Sequence, residues 1–211
     1  MFELILESLR ETLVMVIPST IFSLILGFIF AMILIVTSDN GLKPNKIIFN
    51  ILDFIVNILR SFPFLILMVA LIPLTKFIVG KSIGEVAAIV PLTIASTPFV
   101  TRVIESALKE VDNGVIEAAK SFGASNTQII FKVILKEAVP AIISGVTLTV
   151  ISLIGYSAMA GTIGAGGLGD LAIRYGYQRF QTDIMVATII VLIIIVQLLQ
   201  MVGNYFYKKL S

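Results

Sequence analysis

Histidine and cysteine are both missing from the 211 residues, which removes imidazole acid–base catalysis, cysteine nucleophiles, thiolate metal sites and disulfides together. Redox compartment therefore has no cysteine from which to be read. Charge is scarce as well. Only 13% of residues are charged, against about 25% in soluble domains, while 58% are hydrophobic and the mean hydropathy is +1.07. So little polar surface excludes an ordinary soluble domain. The 15 basic and 13 acidic residues leave a net charge of +2, too balanced for a nucleic-acid binder. Residues 1–11 carry Glu3, Glu7 and Glu11 against a single Arg10; a secretory signal needs a basic start, so no cleaved signal is expected.

What the chain has instead is long apolar runs. A bilayer core of roughly 30 Å needs about 20 mostly apolar helical residues, and five stretches qualify: 13–36, 60–78, 83–103, 141–163 and 184–202. The first stops at the turn-forming Thr37, Ser38, Asp39, Asn40 and Gly41, and the second has a more polar lead-in from Ile47. None alternates as a barrel strand does, and lipid tolerates only helices or closed barrels, so the expected class is an all-α membrane protein with five transmembrane helices. With no internal repeat, linker or low-complexity segment, residues 1–211 are expected to form a single domain.

Loop charge sets direction. On one side fall Lys43, Lys46, Arg60, Arg102, Lys109, Lys120, Lys132, Lys136, Lys208 and Lys209; on the other fall Arg10, Lys76, Lys81, Arg174 and Arg179. The lysine-rich side is expected to be cytoplasmic, placing the N-terminus outside and the C-terminus inside. Tyr205 and Tyr207 before Lys208 and Lys209 suit an interfacial anchor with snorkelling lysines.

The polar loop 104–140 is long enough to need a function, and it predicts two short helices. Asp112 or Asn113 caps the first, over 114–122; Gly123 is a left-handed stop; and Ser125 with Gln128 makes a capping box that opens a second helix toward Glu137. Within the loop, Glu117, Ala118 and Ala119 are followed by Gly123, and then by Val133 and Leu135. Adjacent alanines allow another protein close to the helix backbone, Glu117 supplies one fixed charge for register, and Gly123 permits the turn. An ordinary solvated hairpin, with Glu117 pairing Lys120 at i,i+3, is the alternative.

Two glycine patterns mislead. Gly164, Gly166 and Gly169 satisfy G-x-G-x-x-G, but they follow a membrane helix rather than a strand, so no dinucleotide site is expected. Gly80, Lys81 and Ser82 resemble the end of a phosphate loop whose first glycine is replaced by Thr75. No ATP site is therefore expected in this chain, and energy has to come from a partner.

Gly145, Thr149, Ser152, Tyr156 and Met159 recur at spacings of four, three, four and three, so they share one helical face. That stripe suits either a passage for a zwitterionic amino acid or close helix packing. Arg60, just before Pro63, either snorkels or forms a gating ion pair with Asp53 seven residues earlier. Asp170, Arg174 and Arg179 are expected on the outer surface, as a docking face or as solvated loop residues.

The loop resembles the cytoplasmic signature EAA–x3–G–x9–I–x–LP of bacterial ABC-importer permeases. Glu117, Ala118, Ala119 and Gly123 match; Val133 and Leu135 occupy the Ile and Leu positions; Lys136 departs from the proline, which comes four residues later at Pro140. The stretch 155–180, with Arg60-Ser61-Phe62-Pro63-Phe64 and Ala88-Ile89-Val90-Pro91-Leu92-Thr93, is similar to the methionine-importer permease family over nearly the whole chain. The resemblance implies a type I ABC importer permease fold in the bacterial inner membrane. It implies that Glu117, Ala118, Ala119 and Gly123 belong to a coupling helix seated on a separate ATPase dimer, which binds the ATP and Mg; this chain would hold no cofactor and catalyse nothing. It further implies a homodimer fed by a methionine-binding lipoprotein. The alternatives are a permease for another amino acid or a phosphonate, and an ATP-independent carrier or membrane scaffold.

Overall fold

A computed structural model of the protein describes residues 1–39 and 41–210; Asn40, the fourth residue of the expected turn, lies outside them. Every regular element described is helical. In chain order these are α1 (Phe2–Thr37), α2 (Lys46–Ser61), α3 (Phe64–Ala70), α4 (Ile72–Val79), α5 (Glu85–Lys109), α6 (Asn113–Ser121), α7 (Asn126–Gln128), a π-helical turn (Ile129–Ile134), α8 (Leu135–Gly161), α9 (Gly167–Leu171), a second π-helical turn (Ala172–Tyr177) and α10 (Thr182–Leu210).

α5 is the central post. It buries residues on all sides and packs against α1 and α8, while its hydroxyls turn back onto their own helix: Ser96 donates to the Leu92 carbonyl, Thr97 to Thr93 and Thr101 to Thr97. Backbone-bonded hydroxyls let polar residues sit in an apolar environment without unsatisfied groups. α1 faces α5 with a stripe of small residues that includes Ser19, Ser23, Gly27 and Ala31. A Cβ on Gly27 would overlap Val100 of α5, so the two helices meet at backbone distance. Two apolar cores result. One holds Met15, Leu92 and Leu153; the other, toward α6, holds Ala31, Val100, Ile104 and Ile129. α10 turns Ile189, Ile190, Ile193, Ile194 and Leu198 outward, an arrangement at home in hydrocarbon rather than water.

Four helical stretches are long and apolar enough to cross a membrane, and a fifth exists if the bent pair α2 and α3 counts as one. The expected second span over 60–78 is not one helix. Phe62 and Pro63 are extended (ψ 130° and 133°), and α2 meets α3 at 106°. The residue before a proline is driven out of the α region, so Pro63 breaks the apolar run at its start. The other ends also move. α1 begins at Phe2 rather than near residue 13, and α5 continues past 103 to Lys109.

The loop 104–140 is correspondingly shorter than expected. The second expected short helix is no separate element: Asn126–Gly161 forms a single 36-residue stretch through the π-helical turn and past Pro140 into the membrane span. Proline inside a helix removes one donor and crowds the carbonyl four residues back, and the wider π turn lies immediately upstream.

Candidate functional site

α6 is a short helix with both ends closed locally. Asp112 accepts a hydrogen bond from the Gly114 amide at 2.5 Å. At the other end Gly123 sits at φ +76°, its amide donating to the Lys120 carbonyl (2.9 Å), while the Ala124 amide reaches the Ala119 carbonyl (3.1 Å). This paired closure needs a left-handed residue, which glycine adopts at least cost. Ser125 and Gln128 then form the reciprocal capping box.

The helix presents two faces. Ile116 and Ala119 turn inward against the core that contains Ile129 and Ala107, whereas Val115, Glu117, Ala118 and Lys120 face out. The adjacent alanines thus divide their roles: Ala119 seats α6 on its own chain, and Ala118 leaves the outer face low. Glu117 makes no ion pair with Lys120 among the described residues, so the solvated-hairpin pairing is absent. Sequence reasoning missed Phe122. Its ring is 92% exposed at the tip of α6, and an aromatic so placed marks a surface made for a partner. Its position immediately before the stop Gly123 was the available signal.

The stripe on α8 separates. Tyr156 stacks on Phe64, centroids 4.7 Å apart at 13°, and with Met159, Arg60, Phe62 and Pro63 it lines a groove of about 400 Å³. Thr149 is buried and donates to the Gly145 carbonyl at 2.9 Å, and a Cβ on Gly145 would overlap Val103 of α5. Thr149 therefore belongs to helix packing, and Ser152 is half-buried between the two regions. The bend at Pro63 is what brings Arg60 and Phe64 to the groove.

The expected Arg60–Asp53 pair is not formed. Asp53 is taken by Arg102 of α5, whose Nη2 donates to Asp53 Oδ1 at 2.5 Å and to Asn57 Oδ1 at 2.8 Å. Residues seven apart share a face but lie about 10 Å apart along the axis, whereas α5 crosses directly beside Asp53.

The opposite end of the bundle is closed by the glycine-rich turn. The Gly167 amide donates to Glu11 Oε2 (2.7 Å) and the Leu168 amide to Thr12 Oγ1 (2.9 Å), both across 156 residues of chain. Gly169 leaves no room for a Cβ beside Ala158, and one on Gly161 would lie 2.5 Å from the Asp170 nitrogen. Asp170 pairs with Arg174, Arg179 lies 4.5 Å over the Tyr175 ring, and Tyr177 and Phe180 project outward. Gly80 is the left-handed stop of α4 (φ +82°), and neither glycine motif follows a strand among the described residues.

Residues 23–211 match the model of the family described as binding-protein-dependent transport system inner membrane component. The chain belongs to this family. Its members are membrane components of transport systems rather than enzymes. Among similar chains, the probable D-methionine transport system permease protein MetI of Vibrio cholerae is 50% identical over 209 residues, covering 99% of this permease and 93% of the relative. The methionine import system permease protein MetP of Bacillus subtilis is 49% identical over 172 residues, 82% and 78% of the two chains. A solved chain from inward-facing conformations of the MetNI methionine ABC transporter superposes with a TM-score of 0.96 at 41% identity, covering 100% of this permease and 98% of that chain. An amino acid ABC transporter with histidines shares the fold, with a TM-score of 0.82 at 20% identity. The type I importer fold expected from the EAA-like loop is the fold observed.

Proposed function

We propose that this permease is the transmembrane subunit of an ATP-driven methionine importer, accepting L- and D-methionine, and that two copies form a pathway at their two-fold axis on a pair of separate ATPase subunits. The observation that carries this reading is agreement over the entire chain with a methionine ABC transporter at TM-score 0.96 and 41% identity, joined to 50% identity with a D-methionine permease.

In the proposed cycle, ATP and Mg bind the partner ATPases and close them. α6, carrying Glu117, Ala118, Ala119 and the stop at Gly123, follows that closure, and the two halves tilt between inward- and outward-facing states. A methionine-binding lipoprotein delivers substrate at the face formed by Asp170, Arg174, Tyr177 and Phe180. The groove suits methionine chemically: the Phe64–Tyr156 stack offers aromatic faces to a thioether, and Arg60 offers a cation to a carboxylate. Tyr156 and Met159 carry the pathway in this reading; Thr149 and Ser152 support it from behind. Residues 1–211 act as one transmembrane domain, the N-terminus outside and the C-terminus cytoplasmic.

The decisive experiment is copurification with its ATPase and reconstitution in liposomes. Labelled methionine is expected to accumulate only with ATP and binding protein, and excess unlabelled methionine is expected to compete where other amino acids and phosphonates do not. Competition by one of those ligands instead moves the permease to another substrate, and accumulation without the ATPase makes it a carrier. Orientation is tested separately. A cysteine at Lys132, the sole thiol in a chain with none of its own, is expected to react with an impermeant maleimide only after cells are opened. Labelling of intact cells would reverse the topology.

A further inference from the structure

We propose that Asp53, Asn57, Arg102 and Glu105 form a clasp that makes α2 move with α5 and so carries displacement of α6 to the groove at Tyr156; Asp53 and Arg102 are then positioning residues for transport. The inference rests on the importer reading above.

The clasp is complete in its hydrogen bonds. Arg102 reaches Asp53 and Asn57 on α2 with Nη2, and Glu105 Oε2 on its own helix with Nη1 at 2.6 Å. Asn57 donates to the other Asp53 oxygen at 2.9 Å, so its amide is oriented by an acceptor on one side and a donor on the other. Glu105, only 3% exposed, takes Lys109 on its remaining oxygen at 2.7 Å. Two carboxylates face two cations, and the cluster is neutral.

α2 has little else to hold it. Val56 is its single buried residue, while Ile51, Phe54, Ile55 and Ile58 point away from the bundle. An element fixed by apolar packing slides at small cost per ångström. One fixed by a charged fork does not, because separating it leaves charges unpaired at membrane depth. Chain connectivity supplies both ends of the linkage. Lys109, bound to Glu105, closes α5, and three residues later Asp112 caps α6. On the other helix, α2 ends at Phe62, and after the Pro63 bend α3 opens with Phe64, stacked on Tyr156. Movement of α6 is thereby delivered through α5 and the clasp to the ring that faces the groove.

The test uses the full importer in liposomes and reads methionine transported per ATP hydrolysed. Asp53→Asn removes the charge but keeps the shape; Arg102→Lys keeps the charge but loses the fork. Both are expected to lower the ratio by about tenfold or more, the range of an ordinary coupling between sites, with ATP hydrolysis continuing. Asp53→Glu is expected to restore the ratio, and Val56→Ala, which loosens the apolar contact of α2, to leave it at the wild-type value. An unchanged ratio in Arg102→Lys overturns the clasp even where Asp53→Asn fails to assemble. So does an equal fall in Val56→Ala, which would make the role merely structural. A wild-type complex that hydrolyses ATP without accumulating methionine overturns the functional reading instead. The clasp is then judged by a thiol placed at Phe62: its reactivity is expected to change with ATP in the Asp53 form and not in Asp53→Asn, and persistence in the variant overturns it.

Discussion

Phe122→Asp is expected to abolish copurification of the permease with its ATPase while leaving the permease itself folded. The ring is 92% exposed and α6 closes through backbone bonds at Gly123 and Ala124, so nothing inside the chain depends on it. Exposed aromatics that seat in a partner pocket behave as anchors, and truncating one costs about 2–4 kcal/mol of binding, or roughly 30- to 1,000-fold in affinity. Aspartate adds a negative charge at the C-terminal end of a helix, where the dipole is already unfavourable to it. Phe122→Leu, which keeps an apolar plug, is expected to retain much of the affinity. Measurement is by size-exclusion of the detergent-solubilised complex and titration of ATPase onto immobilised permease. An unchanged affinity in the aspartate variant would mean that the partner does not touch this tip.

The second large effect is on stability. Gly169→Ala is expected to destabilise the permease by about 3 kcal/mol or more, because the added methyl meets the backbone of Ala158 rather than a movable side chain. For a chain of this length, that lowers the midpoint of thermal unfolding by roughly 6–12 °C. Gly161→Ala presses on the same junction from the other side, 2.5 Å from the Asp170 nitrogen, and is expected to act alike. Since either change prises apart one contact, the double variant is expected to cost less than the sum of the two. Thermal unfolding of the purified permease, followed by tryptophan-free methods such as thiol-independent light scattering, reads all three. Equal midpoints for wild type and Gly169→Ala would remove the close contact between α9 and α8.

Local signals were readable and distant ones were not. The closures of α6 depend on residues within five of one another, so Asp112, Gly123 and the Ser125–Gln128 box announce themselves in the primary structure. The EAA-like loop added the fold and the coupling role by resemblance. Hydropathy, by contrast, sums over a window and is blind to direction. It joined residues 60–78 into one span across a bend of 106°, and it read Pro140 as the end of a loop where the helix from Asn126 runs straight through. Pairing failed for the same reason. Arg60 was the nearest cation to Asp53 in sequence, but Arg102, 49 residues away, is the one that α5 brings across. Nothing in the order of residues ties Glu11 and Thr12 to the glycine-rich turn either. That contact appears only once α1, α8 and α9 are packed, and it converts a lookalike nucleotide motif into a joint between helices.

The central claim is that a chain with no nucleotide site of its own is driven through α6. Its most direct test is to measure ATP hydrolysis and methionine accumulation in the same vesicles, for wild type and for Phe122→Asp supplied with saturating ATPase. Wild-type vesicles are expected to concentrate methionine as they hydrolyse ATP, and the variant to accumulate none. Accumulation at the wild-type rate in vesicles whose α6 tip has been changed would contradict the account.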